Sequence, residues 1–166
     1  MTGAIEAVLS ALNAVGVRYL VVGGVAVVLH GHLRTTADLD LVIQLSPDNV
    51  LRAMRALTDL SYRPRAPVPA EQFADAGLRE SWLRDKGLTV FSLWSDRFPG
   101  LEVDVFVTEP FPFDAAYARA VPVVLDTTTA MVASAHDLIQ LKLHSGRPID
   151  RADVEALREL AGEEGA

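Results

Sequence analysis

The stretch Asp38-Leu-Asp-Leu-Val-Ile43 is apolar and strand-like, yet it carries two carboxylates one residue apart. Alternate side chains of a strand point to opposite faces, so Leu39, Leu41 and Ile43 share one face and Asp38, Asp40 and Val42 the other. The first face can pack on helices. The second must present two like charges about 7 Å apart along the strand. An acid inside an otherwise apolar strand costs stability unless it is paired or metal-bound. The same alternation recurs in Leu101-Glu-Val-Asp-Val-Phe-Val107, where Glu102, Asp104 and Phe106 lie opposite Leu101, Val103, Val105 and Val107. If the two strands are neighbours, Asp104 converges on Asp38 and Asp40. A hard divalent cation suits such oxygen donors and keeps waters or phosphates as its other ligands. A lone Asp-x-Asp is common and exposed strand acids are ordinarily just solvated; the second acidic strand is what gives the pattern weight.

The surrounding pattern predicts a mixed α/β domain. Ile5, Val8, Leu9, Leu12 and Val15 have helical spacing and Gly16 follows as a stop. Val17 to Val22 reads as a strand ended by Gly23-Gly24, followed by a short helix closed by Gly31. Ser46 and Pro47 open another helix as N-cap and first residue. Ser61 to Arg79 is Pro- and Ala-rich and reads as irregular, and Pro64 to Lys86 has no assigned place. Leu88 to Trp94 and Leu101 to Val107 read as strands joined by the Pro99-Gly100 turn, which favours antiparallel pairing at one edge. A strand follows at Val121 to Asp126, then the weakly strand-like Thr127 to Ser134. Two helices close the chain, the second expected to be capped by Asp150. One domain over residues 1–166 is expected, with a core to about 126 and a helical tail from about 134 to 162.

Several function classes are excluded or weakened. The chain has no cysteine, which removes thiolate metal sites and thiol nucleophiles. The net charge of −7 argues against wide nucleic-acid binding. Locally, Arg52, Arg55, Arg63 and Arg65 face the single acid Asp59, which makes either a basic patch or a solvated helix face. No basic signal segment opens the chain, and the apolar run Tyr19 to Leu29 is too short for a membrane span, so a cytoplasmic protein is expected. Gly23-Gly24 suits close approach of backbone to a phosphate, but neither a dinucleotide fingerprint nor a P-loop triplet is present. His30 and His32 lack a third ligand nearby, and His136-Asp137 reads as the start of a helix.

Taken together, Val21 to Ile43 resembles the nucleotidyltransferase superfamily that includes DNA polymerase β and the minimal bacterial enzymes. The shared pattern is a strand ending in Gly-Gly, a short helix, Asp-x-Asp in the next strand and a third acid in a later one. Arg34-Thr-Thr36 before the acids, and Asp137-Leu138 with Lys142 and a following R-x-x-D-x-x-D, are similar to the AbiEii-like toxins. The resemblance implies a nucleotidyltransferase fold: a central mixed sheet flanked by helices, with a helical C-terminal segment. It implies Mg²⁺ or Mn²⁺ held by Asp38, Asp40 and Asp104, and an NTP such as ATP as donor. Gly23 and Gly24 would bring backbone N–H groups to the phosphates, Lys142 would reach the triphosphate, and Arg34 and Thr36 are further phosphate contacts. The implied reaction moves an NMP to an acceptor hydroxyl, with tRNA, a protein or a small molecule all left open as acceptor, and the AbiEii-like motifs leave open the role of a toxin with a cognate antitoxin. Gly24 stands where many relatives have serine, so a hydroxyl contact is missing. The alternative is a catalytically silent nucleotide-binding or antitoxin-like module. Oligomeric state is not legible.

Overall fold

The computed structural model describes residues 2–165. Helix α1 (Thr2–Ala14) leads into β1 (Tyr19–Val22), which passes directly into α2 (Gly23–Leu29). A polar loop precedes β2 (Asp38–Ile43) and α3 (Pro47–Asp59). A short edge strand β3 (Arg63–Pro64), a 3-10 turn (Ala70–Ala74) and α4 (Ala76–Lys86) follow, then β4 (Val90–Trp94) and β5 (Glu102–Phe106). The remainder is α5 (Phe113–Ala118), β6 (Val121–Val124), β7 (Thr129–Val132), α6 (Ala135–Ser145) and α7 (Pro148–Gly165).

All strands join one seven-stranded sheet in the order β3-β4-β5-β2-β1-β7-β6. Pairing is antiparallel for β1–β2, β3–β4, β4–β5 and β6–β7, and parallel for β2–β5 and β1–β7. This is the mixed sheet with a helical tail that the pattern predicts. Its centre is apolar because the inward positions are: Leu20, Val21, Leu39, Val42, Leu93, Val103 and Val132 are fully buried. Helices α1 and α3 cover one face through Val8, Leu9, Leu12, Val50, Met54 and Leu57. Asn49, also fully buried, satisfies its amide by accepting from Arg18 N–H (2.9 Å) and donating to the Arg18 and Gln44 carbonyls (3.0 and 2.8 Å). That clamp locks β1 to the end of β2, and with it the register of the acids.

Three local expectations are corrected. The segment between Ser61 and Lys86 is not wholly irregular: Asp75 caps α4 by accepting from Leu78 N–H at 3.1 Å, and Gly87 ends it in the left-handed region at φ +61°. This segment packs both Phe73 and Trp82 against Phe91, at ring separations of 5.0 and 5.4 Å. β7 is an interior strand, not a weak fringe. Asp150 does not cap α7, which begins at Pro148; its carboxylate turns to Ser145, Arg147 and Lys142 instead. Among the described residues no helix is long and apolar enough to cross a membrane.

Candidate active site

Parallel pairing of β2 with β5 sets Asp40 directly beside Asp104 and Asp38 beside Glu102. Paired residues share a face, so the four carboxylates project together while Leu39, Leu41, Val103 and Val105 point into the core. On the other side of β2, Val22 is the partner of Asp40, and the chain turns into α2 at the next residue. Gly23 makes that turn at φ +69°, and a Cβ there would overlap the Asp40 carboxylate. Only glycine meets both demands.

These residues floor a cleft of about 450 Å³. Its walls include Asp38, Asp40 and Asp104 from the sheet, Gly23 from the start of α2, Lys142 and Ser145 from α6, Arg147 from the loop that follows and Asp150 from the start of α7. Of the residues predicted from sequence, the cleft therefore gathers Asp38, Asp40, Asp104, Gly23 and Lys142. Gly24, Arg34 and Thr36 do not line it. A Cβ on Gly24 would stand 2.6 Å from Arg34 Nη1 and 2.7 Å from Thr36 Oγ1, so this glycine makes room for the loop that carries them. Arg34 reaches the cleft at second hand, its Nη1 donating to Asp153 Oδ2 at 3.2 Å. Lys142 Nζ donates to the same oxygen at 2.8 Å and lies 3.5 Å from Asp150 Oδ1. Asp153 thus ties α7 to both α6 and the loop after α2. His30 bonds the Ala133 carbonyl at 2.8 Å and is committed there.

Sequence reading missed Arg147. Its Nε donates to Asp150 Oδ2 at 2.8 Å, which sets the guanidinium at the rim of the cleft. The available signal was the R-x-x-D-x-x-D spacing, whose Arg and first Asp form this pair.

The acids strain against one another. Burial, then the charges of Asp104 and Asp38, push the Asp40 carboxyl up to about 7, against the opposing pull of Lys142 and Arg147. Burial also raises Asp104, a contact from Ser92 opposes it, and Asp38 and Glu102 raise it further. Asp104 Oδ1 is buried with no hydrogen-bond partner. An orphaned carboxylate oxygen beside a like-charged neighbour is the state that an oxygen-seeking divalent cation relieves. Among the described residues no three His, Asp or Glu side chains are already drawn together closely enough to grip an ion. Asp38, Asp40 and Asp104 nevertheless fit one chemically: they share a face, and Asp104 Oδ1 lacks a hydrogen-bond partner.

Known structures share this architecture. The chain is similar to the lincosamide antibiotic adenylyltransferase LnuA bound to lincomycin, at 15% identity and TM-score 0.62, covering 96% of this chain and 98% of that one. It is similar to ANT(2")-Ia in complex with adenylyl-2"-tobramycin, at 13% identity and TM-score 0.64, covering 99% and 91%. A putative nucleotidyltransferase from Thermotoga maritima matches at 15% identity and TM-score 0.56, covering 97% and 92%. At these identities the likeness is one of fold. No curated protein matches the chain at a significant level. The family model described as nucleotidyltransferase of unknown function (DUF6036) matches residues 4–161, and the chain belongs to that family.

Proposed function

We propose that the chain transfers an NMP from an NTP to a hydroxyl acceptor, with Asp38, Asp40 and Asp104 holding Mg²⁺ or Mn²⁺. The observation that carries this is the side-by-side placement of Asp40 and Asp104, in a cleft whose opposite wall holds Lys142 and Arg147. When bound, the divalent ion neutralises the carboxylates and polarises the phosphoryl group. The protein's own residues do the rest. Lys142 faces the acids from α6 and Arg147 from the loop before α7, where they can take the charge of the β- and γ-phosphates. Gly23 keeps the floor free of side chains, so the α-phosphorus can approach the carboxylates. Asp104, beside Asp40 on the cleft floor, is placed to receive the proton of the attacking hydroxyl.

A silent binding module would gain stability by shedding one of the mutually repelling acids, and this chain retains all of them. The toxin reading rests on the resemblance of the Arg34–Ile43 and Lys142–Asp153 motifs, and its mark would be growth arrest on expression. The test of the activity is label transfer from each α-labelled NTP, with Mg²⁺ or Mn²⁺, to tRNA, proteins and small hydroxyl compounds. Asp40→Ala and Asp104→Ala should each abolish transfer. Transfer that survives both would sink the reading.

A further inference from the structure

Asp38 borders a second cavity. On its far side from Lys142 and Arg147 lies a cleft of about 440 Å³, lined by Ala37, Trp94, Asp96, Phe98, Glu102 and Arg65 among others. The strand registers explain why it is there. Ser92 pairs with Asp104 and Arg63 pairs with Trp94, so Trp94 lies two residues along the same face from the Asp104 partner. Glu102 is likewise two residues from Asp104 and directly beside Asp38. The two clefts adjoin on one face of the sheet and share Asp38.

Their chemistry differs. The first cleft has two cations, Lys142 and Arg147, each paired with Asp150 or Asp153, and the divalent ion that Asp38, Asp40 and Asp104 would hold supplies the further charge a polyphosphate needs. In the second, Arg65 pairs with Glu102 and Arg63 with Asp96 at 2.5 Å, while Arg97 lies over the Phe98 ring at 5.3 Å with no ion pair among the described residues. Arg63 and Arg65 both stack on the indole of Trp94, at 4.4 Å for Arg63 and 5.7 Å for Arg65. Among its charged lining residues, Asp38, Asp96 and Glu102 outnumber Arg65. The Asp38 side chain makes no hydrogen bond or ion pair among the described residues. A nucleic-acid strand binds through cations free to neutralise its phosphates, and this wall offers it a carboxylate excess. Carboxylate oxygens, fixed guanidinium N–H groups and the aromatic carbon of Trp94 and Phe98 suit a compact ring that carries hydroxyl or ammonium donors.

We propose that this cleft is the acceptor site and that the acceptor is a small hydroxylated ring compound, neutral or cationic, rather than an RNA. The inference rests on the nucleotidyl-transfer reading above. The acceptor hydroxyl, entering past Asp38, would attack the α-phosphorus of the NTP. A new P–O bond forms and the α-phosphorus–bridging-oxygen bond breaks. Pyrophosphate leaves with that electron pair, and the hydroxyl proton passes to Asp104.

The test is pyrophosphate release by the full chain with Mn²⁺ and each NTP. The probes are kanamycin, lincomycin, glucosamine, myo-inositol and deacylated tRNA, each against an acceptor-free control. Binding of Mn²⁺·NTP is followed on the same sample by calorimetry. At least one ring compound should raise release tenfold or more. Trp94→Ala and Glu102→Gln should then raise the KM of that compound, relative to the KM of the NTP, by tenfold or more. Stimulation by tRNA alone overturns the inference, as does failure of every ring compound while the NTP binds, or a stimulated rate whose KM ratio the variants leave unmoved. If Mn²⁺·NTP does not bind at all, the nucleotidyl-transfer reading falls and takes this inference with it.

Discussion

Asp40→Asn should make the ion-free protein more stable while destroying its chemistry. The Asp40 carboxyl ordinarily titrates at 3.8 and is pushed up to about 7 in the fold. Between those two values the folded state holds a proton that the unfolded chain has released. Stability therefore falls as the pH rises through that window, and the whole penalty is present above about 7. Moving a carboxyl over that span corresponds to about 4 kcal/mol. Water in the open cleft screens part of it, and a net gain of about 1–3 kcal/mol is expected when asparagine removes the charge. For a chain of this size that is about 3–10 °C in Tm. The assay is thermal unfolding in EDTA across pH 5 to 8.5, repeated with Mn²⁺. In EDTA the variant should exceed the wild type at pH 8, and the difference should shrink by more than half at pH 5. Mn²⁺ should raise the wild-type Tm and leave the variant unmoved. A variant less stable than wild type at pH 8 in EDTA would refute the argument that these acids repel one another without a counter-ion.

Three further perturbations separate the parts of the site. Gly23→Ala places a side chain in the left-handed region, at about 1–2 kcal/mol, and displaces the Asp40 carboxylate. Transfer should be lost while the circular dichroism spectrum stays native. Asp153→Ala leaves Lys142 and Arg34 without their shared buried partner, a loss of about 3–5 kcal/mol that a urea midpoint will register. Arg147→Met, at a side chain 70% exposed, should leave the urea midpoint near wild type and raise the KM for NTP about tenfold.

The acidic strands were legible because a strand has a simple period. Alternation assigned Asp38, Asp40 and Asp104 to polar faces, and a single assumption, that the strands are neighbours, set them side by side. The structure supplies that neighbourhood through the parallel β2–β5 pairing, a relation between residues more than sixty positions apart that no local pattern encodes. The segment from Pro64 to Lys86 was opaque for a different reason. α4 buries only Arg79 and Trp82, so it has no broad apolar stripe to read, and the prolines before it masked the Asp75 cap. β7 is faint in the sequence because Thr127 to Thr129 dilute a strand whose burial comes from its neighbours. Asp150 looked like a cap in the sequence, since a carboxylate near a helix start ordinarily is one. Its engagement with Arg147 and Lys142 depends on how α6 and α7 meet, which is a tertiary fact.

The division of labour between sheet and tail bears on how the protein comes to life during synthesis. The acids and Gly23 are all in place once β5 has emerged, but both cations that face them come from α6 and the loop beyond it. A ribosome-bound chain that has released only its sheet would hold a bare, self-repelling anionic floor, unable to retain a nucleotide. Competence would arrive in one late step, when the final two helices dock and Asp153 seats Lys142. A protease cut near Gly146 should reverse that step, leaving a folded sheet that no longer responds to nucleotide.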